Sequence, residues 1–246
     1  MTVPRLYVAE LAGALVPGGS LPLPAAVAHH AANVLRLRTR DAVTLFTGAG
    51  GEFAATIERI DRREVIVRID AFAAVEREPA LAVTLVQAVA AGDAMDYAIR
   101  KSVELGVAAL QPVITARSAP LGEGTRGAQK RERWQNVAIA ACEQSGRNRV
   151  PDVGAAIPFA QWVAAHARVT GIVLAPEGAV PLTQIAAPVH SIVVVVGPEG
   201  GLTIDEIGAA VHAGLVAVRL GPRVLRTETA GPAALSAIQT LWGDFR

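Results

Sequence analysis

Apolar and polar positions change their rhythm near residue 75 of this chain. Before it come short runs rich in Val, Ile, Thr and aromatic residues, separated by polar and glycine-bearing stretches, a β-rich pattern. Arg5 to Ala9, Ala42 to Phe46, Glu52 to Ile60 and Glu64 to Ile69 are predicted strands, and Ala25 to Leu35 a short helix. Gly48-Ala-Gly-Gly51 lies between two strand-like runs rather than before a helix, so it reads as a hairpin turn and not a dinucleotide loop. Leu35-Arg-Leu-Arg-Thr-Arg40 alternates apolar with basic residues, which in an extended segment sets Arg36, Arg38 and Arg40 on one face.

After the polar connector Glu76-Arg-Glu-Pro79, strands alternate with helices. Leu81 to Val89 is a predicted strand. Asp93 is placed to cap a helix that runs to Leu105 and stops at Gly106. Ala108 to Ile114 follows as a strand and Gln129 to Ser145 as a helix. Ile172 to Ala175, Ile192 to Val196 and Val216 to Leu220 are short and fully apolar, as strands buried in a parallel sheet are. Thr203-Ile-Asp-Glu206 has the form of a capping box, and Thr229 to Trp242 makes the last helix. The expected architecture is α/β, divided into residues 1–72 and 73–246.

Composition narrows the class. The 246 residues are 52% apolar, enough for a sizeable core, and the net charge of +1 selects no partner by itself. Residues 117 to 149 hold seven Lys/Arg against three Asp/Glu, a patch that favours a polyanion or forms a solvated helix face. The single cysteine, Cys142, excludes an internal disulfide and fits a reducing compartment. No signal-peptide order opens the chain, and its longest apolar stretch is too short to span a bilayer, so a soluble cytoplasmic protein without a membrane partner is expected. The five histidines show no ligand spacing, so no metal is expected.

Two glycine-rich blocks carry the chemistry: Gly197-Pro-Glu-Gly-Gly201, and Leu220 through Gly231. Each follows an apolar strand and precedes a helix, and Leu174-Ala-Pro-Glu177 makes a third such loop. Ligands of parallel sheets bind at the carboxyl ends of strands, where glycine lets them approach the backbone. One such loop is an ordinary turn; three at one rim point to a binding site. Neither a Walker loop nor a Gly-x-Gly-x-x-Gly helix opening is present.

These blocks, together with Ala141-Cys-Glu-Gln-Ser-Gly-Arg-Asn-Arg149, closely resemble the RsmE family of SPOUT-class methyltransferases. Asp96 to Val107 is similar to the first helix of that family's catalytic domain, and His29 to Leu37 to its N-terminal PUA-like domain. One departure is Arg40-Asp41, where the family usually has Gly-Asp. The resemblance implies a SPOUT-type, mostly parallel sheet with a C-terminal trefoil knot, a small N-terminal PUA-like β-barrel, and a homodimer. It implies S-adenosylmethionine as cofactor and N3 of a uridine in 16S ribosomal RNA of the small subunit as target. Carried over, Leu174, Pro176, Val196, Gly197, Pro198, Gly200, Gly201, Leu220, Gly221, Val224, Leu225 and Thr229 line the cofactor cleft. Arg226 is the candidate to stabilise the imide anion that develops on the uracil, and Glu199 to orient the base or take its proton. For Glu199 the alternative is a carboxylate that bonds backbone N–H groups in its own loop. Glu228 is expected to hold the loop and Thr229 to cap the following helix. Arg36, Arg38, Arg40, Arg117, Arg147 and Arg149 are the candidates for RNA phosphates. An assembly factor without activity, or an enzyme acting on another RNA position, remains the alternative.

Overall fold

The β-rich start folds as a five-stranded sheet of β1 (Arg5–Tyr7), β2 (Ser20–Pro22), β3 (Ala42–Phe46), β4 (Glu52–Ile60) and β5 (Val65–Ala73), in the order β1-β3-β4-β5-β2. The structure, a computed structural model, describes residues 3–61, 64–122, 125–177 and 180–245. β1 runs parallel to β3 and every other neighbour is antiparallel. Val65, Val67 and Ile69 take alternate positions on β5 and turn inward onto Leu6, Val43, Leu45 and Ile57. Each such buried side chain is worth roughly 1.5–3 kcal/mol. Gly48 to Gly51 joins antiparallel β3 to β4, as the hairpin reading required.

Two local expectations change here. Helix α1 (Ala25–His29) widens into a π turn over His30–Val34 instead of continuing as α-helix. The extended segment from Leu35 to Arg40 does not form, because Arg36 and Arg40 sit at φ of 55° and 77°, in the left-handed region. The Arg38 N–H donates to Asp41 Oδ2 at 2.7 Å, closing a turn that breaks the two-residue period. The three arginines are exposed, but they do not form one face of a strand.

The second sheet is parallel throughout. It contains β6 (Ala82–Ala88), β7 (Val107–Ile114), β8 (Asp152–Val153), β9 (Ile157–Pro158), β10 (Gly171–Leu174), β11 (Val180–Pro181), β12 (Ser191–Val196) and β13 (Val216–Arg219). Its order is β11-β13-β10-β12-β6-β7-β8, with β9 paired to β7. Helices α2 (Asp93–Glu104), α3 (Thr125–Ser145), α4 (Phe159–Ala165), α5 (Ile204–His212) and α6 (Thr227–Trp242) connect and cover it. Val86 and Ala88 face Phe159 and Trp162 of α4 and Ala210 of α5. The alternate positions Leu85 and Gln87 face α6 at Gly231, and α6 packs on α2.

The capping box forms as read: Thr203 Oγ1 accepts from the Glu206 N–H, and the Glu206 carboxylate accepts from the Thr203 N–H. Two expected caps do not form. Gly92, not Asp93, precedes α2, and Asp93 is its first residue. Helix α6 begins two residues early, with Arg226 in the cap position, so Thr229 lies inside the first turn.

Contacts group Met1–Glu78 with Cys142–Val150 as one unit and Pro79–Ala141 with Pro151–Arg246 as the other. Ion pairs tie residues 142–150 into the first unit. Arg147, 4% exposed, pairs with Glu78. Asn148 accepts from Arg5 at 2.5 Å and donates to Glu52 at 3.1 Å. Arg77 and Arg5 both donate to Glu52. The Arg77 bond, reinforced by those from Arg5 and Asn148, lowers the Glu52 carboxyl to about 2. No helix among the described residues is long and apolar enough to cross a membrane.

Candidate active site

Three neighbouring strands, β13, β10 and β12, end together. Parallel pairing sets Val173 beside both Val195 and Ala217, and Leu174 beside Val218, so their carboxyl ends are level to within about a residue. The loops they release are 174–177, 196–201 and 220–226. All three loops singled out in the sequence therefore share one rim. Gly201 and Gly221 have φ of 70° and 75°, which favour glycine, and open space surrounds the position of a Cβ on either. Around this bare backbone stand half-buried Leu174, Leu220 and Leu225, buried Val196 and Pro198, and exposed Pro176 and Val224. An open backbone rim with apolar walls fits the adenine and the alkyl arms of a nucleoside sulfonium, so the residues present suit the cofactor that the resemblance implies.

The 196–201 loop is held by its neighbours on the same rim. Glu199 Oε1 accepts the Ala91 N–H at 2.7 Å. Arg117 donates to the Gly200 carbonyl at 2.7 Å, and Glu206 Oε1 accepts the Ala116 N–H at 2.8 Å. Residues following β6 and β7 thus fasten the turn that follows β12. Glu199 does bond a backbone N–H, but one from another loop, and its side chain is exposed. Arg117 is exposed too, with one donor already committed to this turn.

Arg226 stands at the rim as the N-cap of α6, where its carbonyl accepts the Thr229 and Ala230 N–H groups. Among the described residues its guanidinium has no hydrogen-bond partner and is exposed. Thr229, also exposed, occupies the same first turn. The Glu228 side chain makes no hydrogen bond among the described residues. Thr227 does the holding instead: its hydroxyl donates to the Gly197 carbonyl at 2.6 Å and accepts from Gln87 Nε2 at 3.0 Å. The sequence reading passed over Thr227 and Gln87; the available signal was a lone amide in the apolar run Leu81 to Val89.

The RNA candidates separate by burial. Arg36, Arg38 and Arg40 are exposed. Arg149 is exposed while its Nε donates to Glu76 at 2.6 Å. Arg147 is the correction: buried and paired with Glu78, its guanidinium is not open to a phosphate, because the ion pair that anchors residues 142–150 uses it. Cys142 is buried and its thiol pushed up to about 11 by that burial, which removes it as a nucleophile. Among the described residues no three His, Cys, Asp or Glu side chains gather as a metal site.

A family model described as "RNA methyltransferase domain" matches residues 76–239, and one described as "RNA methyltransferase PUA domain" matches residues 23–70. The ribosomal RNA small subunit methyltransferase E of Buchnera aphidicola (from Acyrthosiphon pisum) is 30% identical over 89% of this chain and 87% of its own. That of Mycobacterium bovis is 36% identical over 86% and 83%. Among solved structures, the ribosomal RNA small subunit methyltransferase E of Neisseria gonorrhoeae bound to S-adenosyl methionine is 41% identical, with a TM-score of 0.92 over the whole of both chains. A Legionella pneumophila methyltransferase in complex with bound cofactor SAM is 36% identical, with a TM-score of 0.93 and the same full coverage. The family model spans more than half of the chain and these relatives, at 30% identity or more, match it over most of its length, so the chain belongs to the ribosomal RNA small subunit methyltransferase E (RsmE) family.

Proposed function

We propose that this chain is an S-adenosylmethionine-dependent methyltransferase that methylates N3 of a uridine in 16S ribosomal RNA. The observation that carries the reading is the shared rim: three glycine- or proline-bearing loops on adjacent parallel strands, with an arginine that has no side-chain partner among the described residues. Bound there, S-adenosylmethionine supplies a methyl group on a positively charged sulfur, which needs alignment more than activation. Leu174, Pro176, Val196, Gly197, Pro198, Gly200, Gly201, Leu220, Gly221, Val224, Leu225 and Thr229 would hold it, through backbone groups and apolar walls.

The protein's own task is the nucleophile. Uridine N3 carries a proton at neutral pH, and giving it up leaves negative charge shared with the two flanking carbonyl oxygens. The Arg226 guanidinium has donors to spare for one of those oxygens. Among the described residues Glu199 Oε2 has no hydrogen-bond partner while Oε1 is held by Ala91, so Glu199 can orient the base or take the N3 proton. Arg36, Arg38, Arg40, Arg117 and Arg149 would contact phosphates of an RNA whose target base is unstacked.

The remaining parts of the reading follow the same resemblance. Residues 1–72 would form the PUA-like RNA-binding domain, a five-stranded sheet whose edges are β1 and β2, and residues 73–246 the methyltransferase domain, which lends residues 142–150 to the first unit. β10 lies between β12 and β13, and α6 returns from β13 to pack on β12 and β6, a path that suits a trefoil knot. Tyr97, Leu241 and Phe245 leave apolar surface exposed on α2 and at the end of α6, which suits a homodimer. The protein works in the cytoplasm on the small ribosomal subunit. Nucleoside mass spectrometry of ribosomal RNA tests the central claim: a deletion strain should lose 3-methyluridine from 16S RNA. Undiminished 3-methyluridine would sink it.

A further inference from the structure

Gln87 is 1% exposed on β6, paired in register with Val196 of β12. Its amide nitrogen donates to the Ala88 carbonyl at 3.1 Å and to Thr227 Oγ1 at 3.0 Å. Thr227, 5% exposed, passes its one hydroxyl hydrogen to the Gly197 carbonyl at 2.6 Å. Every direction in this relay is determined. A carbonyl only accepts, so the hydroxyl must donate to Gly197 and accept from Gln87. Turning the amide over would set two oxygens against each other at Ala88.

The arrangement joins the two glycine-rich loops at their roots. Gly197 is the first residue after β12, and Thr227 opens α6 directly after Arg226. A single hydroxyl therefore sets the separation of loops 196–201 and 220–226, and the amide of Gln87 stops that hydroxyl from rotating away. The relay is kept at a cost, since Gln87 Oε1 is buried without a hydrogen-bond partner among the described residues. An apolar side chain of similar volume would avoid that cost beneath α6, where Leu85 already packs against Gly231. Stability alone does not account for an amide here.

We infer that Gln87 and Thr227 are positioning residues that hold the cofactor loops in register, acting through the Gly197 carbonyl and the backbone of Arg226. The inference rests on the proposed cofactor site. It is tested by calorimetric titration of the full chain with S-adenosylhomocysteine, alongside thermal melting. Thr227→Val and Gln87→Leu should each weaken binding about tenfold, the worth of one hydrogen bond, and the double variant no further, because the two bonds act in series. Thr227→Ser keeps the hydroxyl and should bind within about twofold of the parent. Melting temperature should not fall for Gln87→Leu. Parent-like binding by Thr227→Val, an equal loss in Thr227→Ser, or an unfolded Gln87→Leu would overturn the inference, the last by assigning the relay to the core. Absence of binding by the parent chain would instead refute the cofactor site itself.

Discussion

Among the described residues the Arg226 guanidinium has no partner at the rim, whereas the Glu199 carboxylate already accepts the Ala91 N–H. That difference makes Arg226 the sharper mutational target. Arg226→Ala should lower single-turnover methyl transfer about 10²- to 10³-fold, as loss of one donor to a developing anion does, while S-adenosylhomocysteine affinity measured by calorimetry stays within a fewfold. Equal losses in both would make it a structural arginine. Arg40 holds a backbone conformation that glycine adopts without strain. Its φ of 77° is one that a side chain resists, so Arg40→Gly should raise unfolding free energy by about 0.5–1 kcal/mol in urea titrations. Both effects are local and both residues stood out in sequence, but a motif names a side chain and reports neither its partners nor its backbone conformation.

Among elements, α5 and the Leu35–Arg40 segment mark the two ends of legibility. The Thr203 and Glu206 capping box was readable because both bonds lie within four residues. Thr203→Ala should cost about 1 kcal/mol of stability, seen as a lower denaturant midpoint at unchanged slope. In Leu35–Arg40 the residues alternate in sequence, but left-handed Arg36 and Arg40 override the extended segment that alternation predicts. If Arg36 and Arg38 still meet phosphates, replacing both by alanine should weaken RNA binding and flatten the log–log salt slope by about 1.4, near 0.7 per contact on single strands. An unchanged slope in filter-binding titrations would leave them as solvated surface. Helix starts misread at Asp93 and Thr229 share one cause: Gly92 and Arg226 precede their helices without a side-chain cap, so no local signal marks the boundary.

Across the molecule, the ion pairs that fold residues 142–150 into the first unit join partners far apart in sequence. Glu52, held near 2 by Arg77, Arg5 and Asn148, contributes stability that is fully present above its ordinary value of 4.5 and is lost as pH falls toward 2. Denaturant midpoints measured from pH 6 to pH 2 should therefore drop more steeply for the parent than for Glu52→Gln. Equal slopes would remove Glu52 from the acid response. Five strands of the second sheet (β6, β7, β10, β12 and β13), the capping box, the glycine-rich loops and the family itself were legible in the sequence, because period, turn chemistry and motif are properties of neighbouring residues; the two-residue strands β8, β9 and β11 are too short to carry a period. Tertiary structure decided the rest: that Arg147 pairs with Glu78 instead of facing solvent, that Glu199 is fastened by Ala91, and that Gln87 meets Thr227 across 140 residues. Those choices depend on which distant groups share a low-dielectric interior, where a buried donor must find an acceptor wherever the fold supplies one.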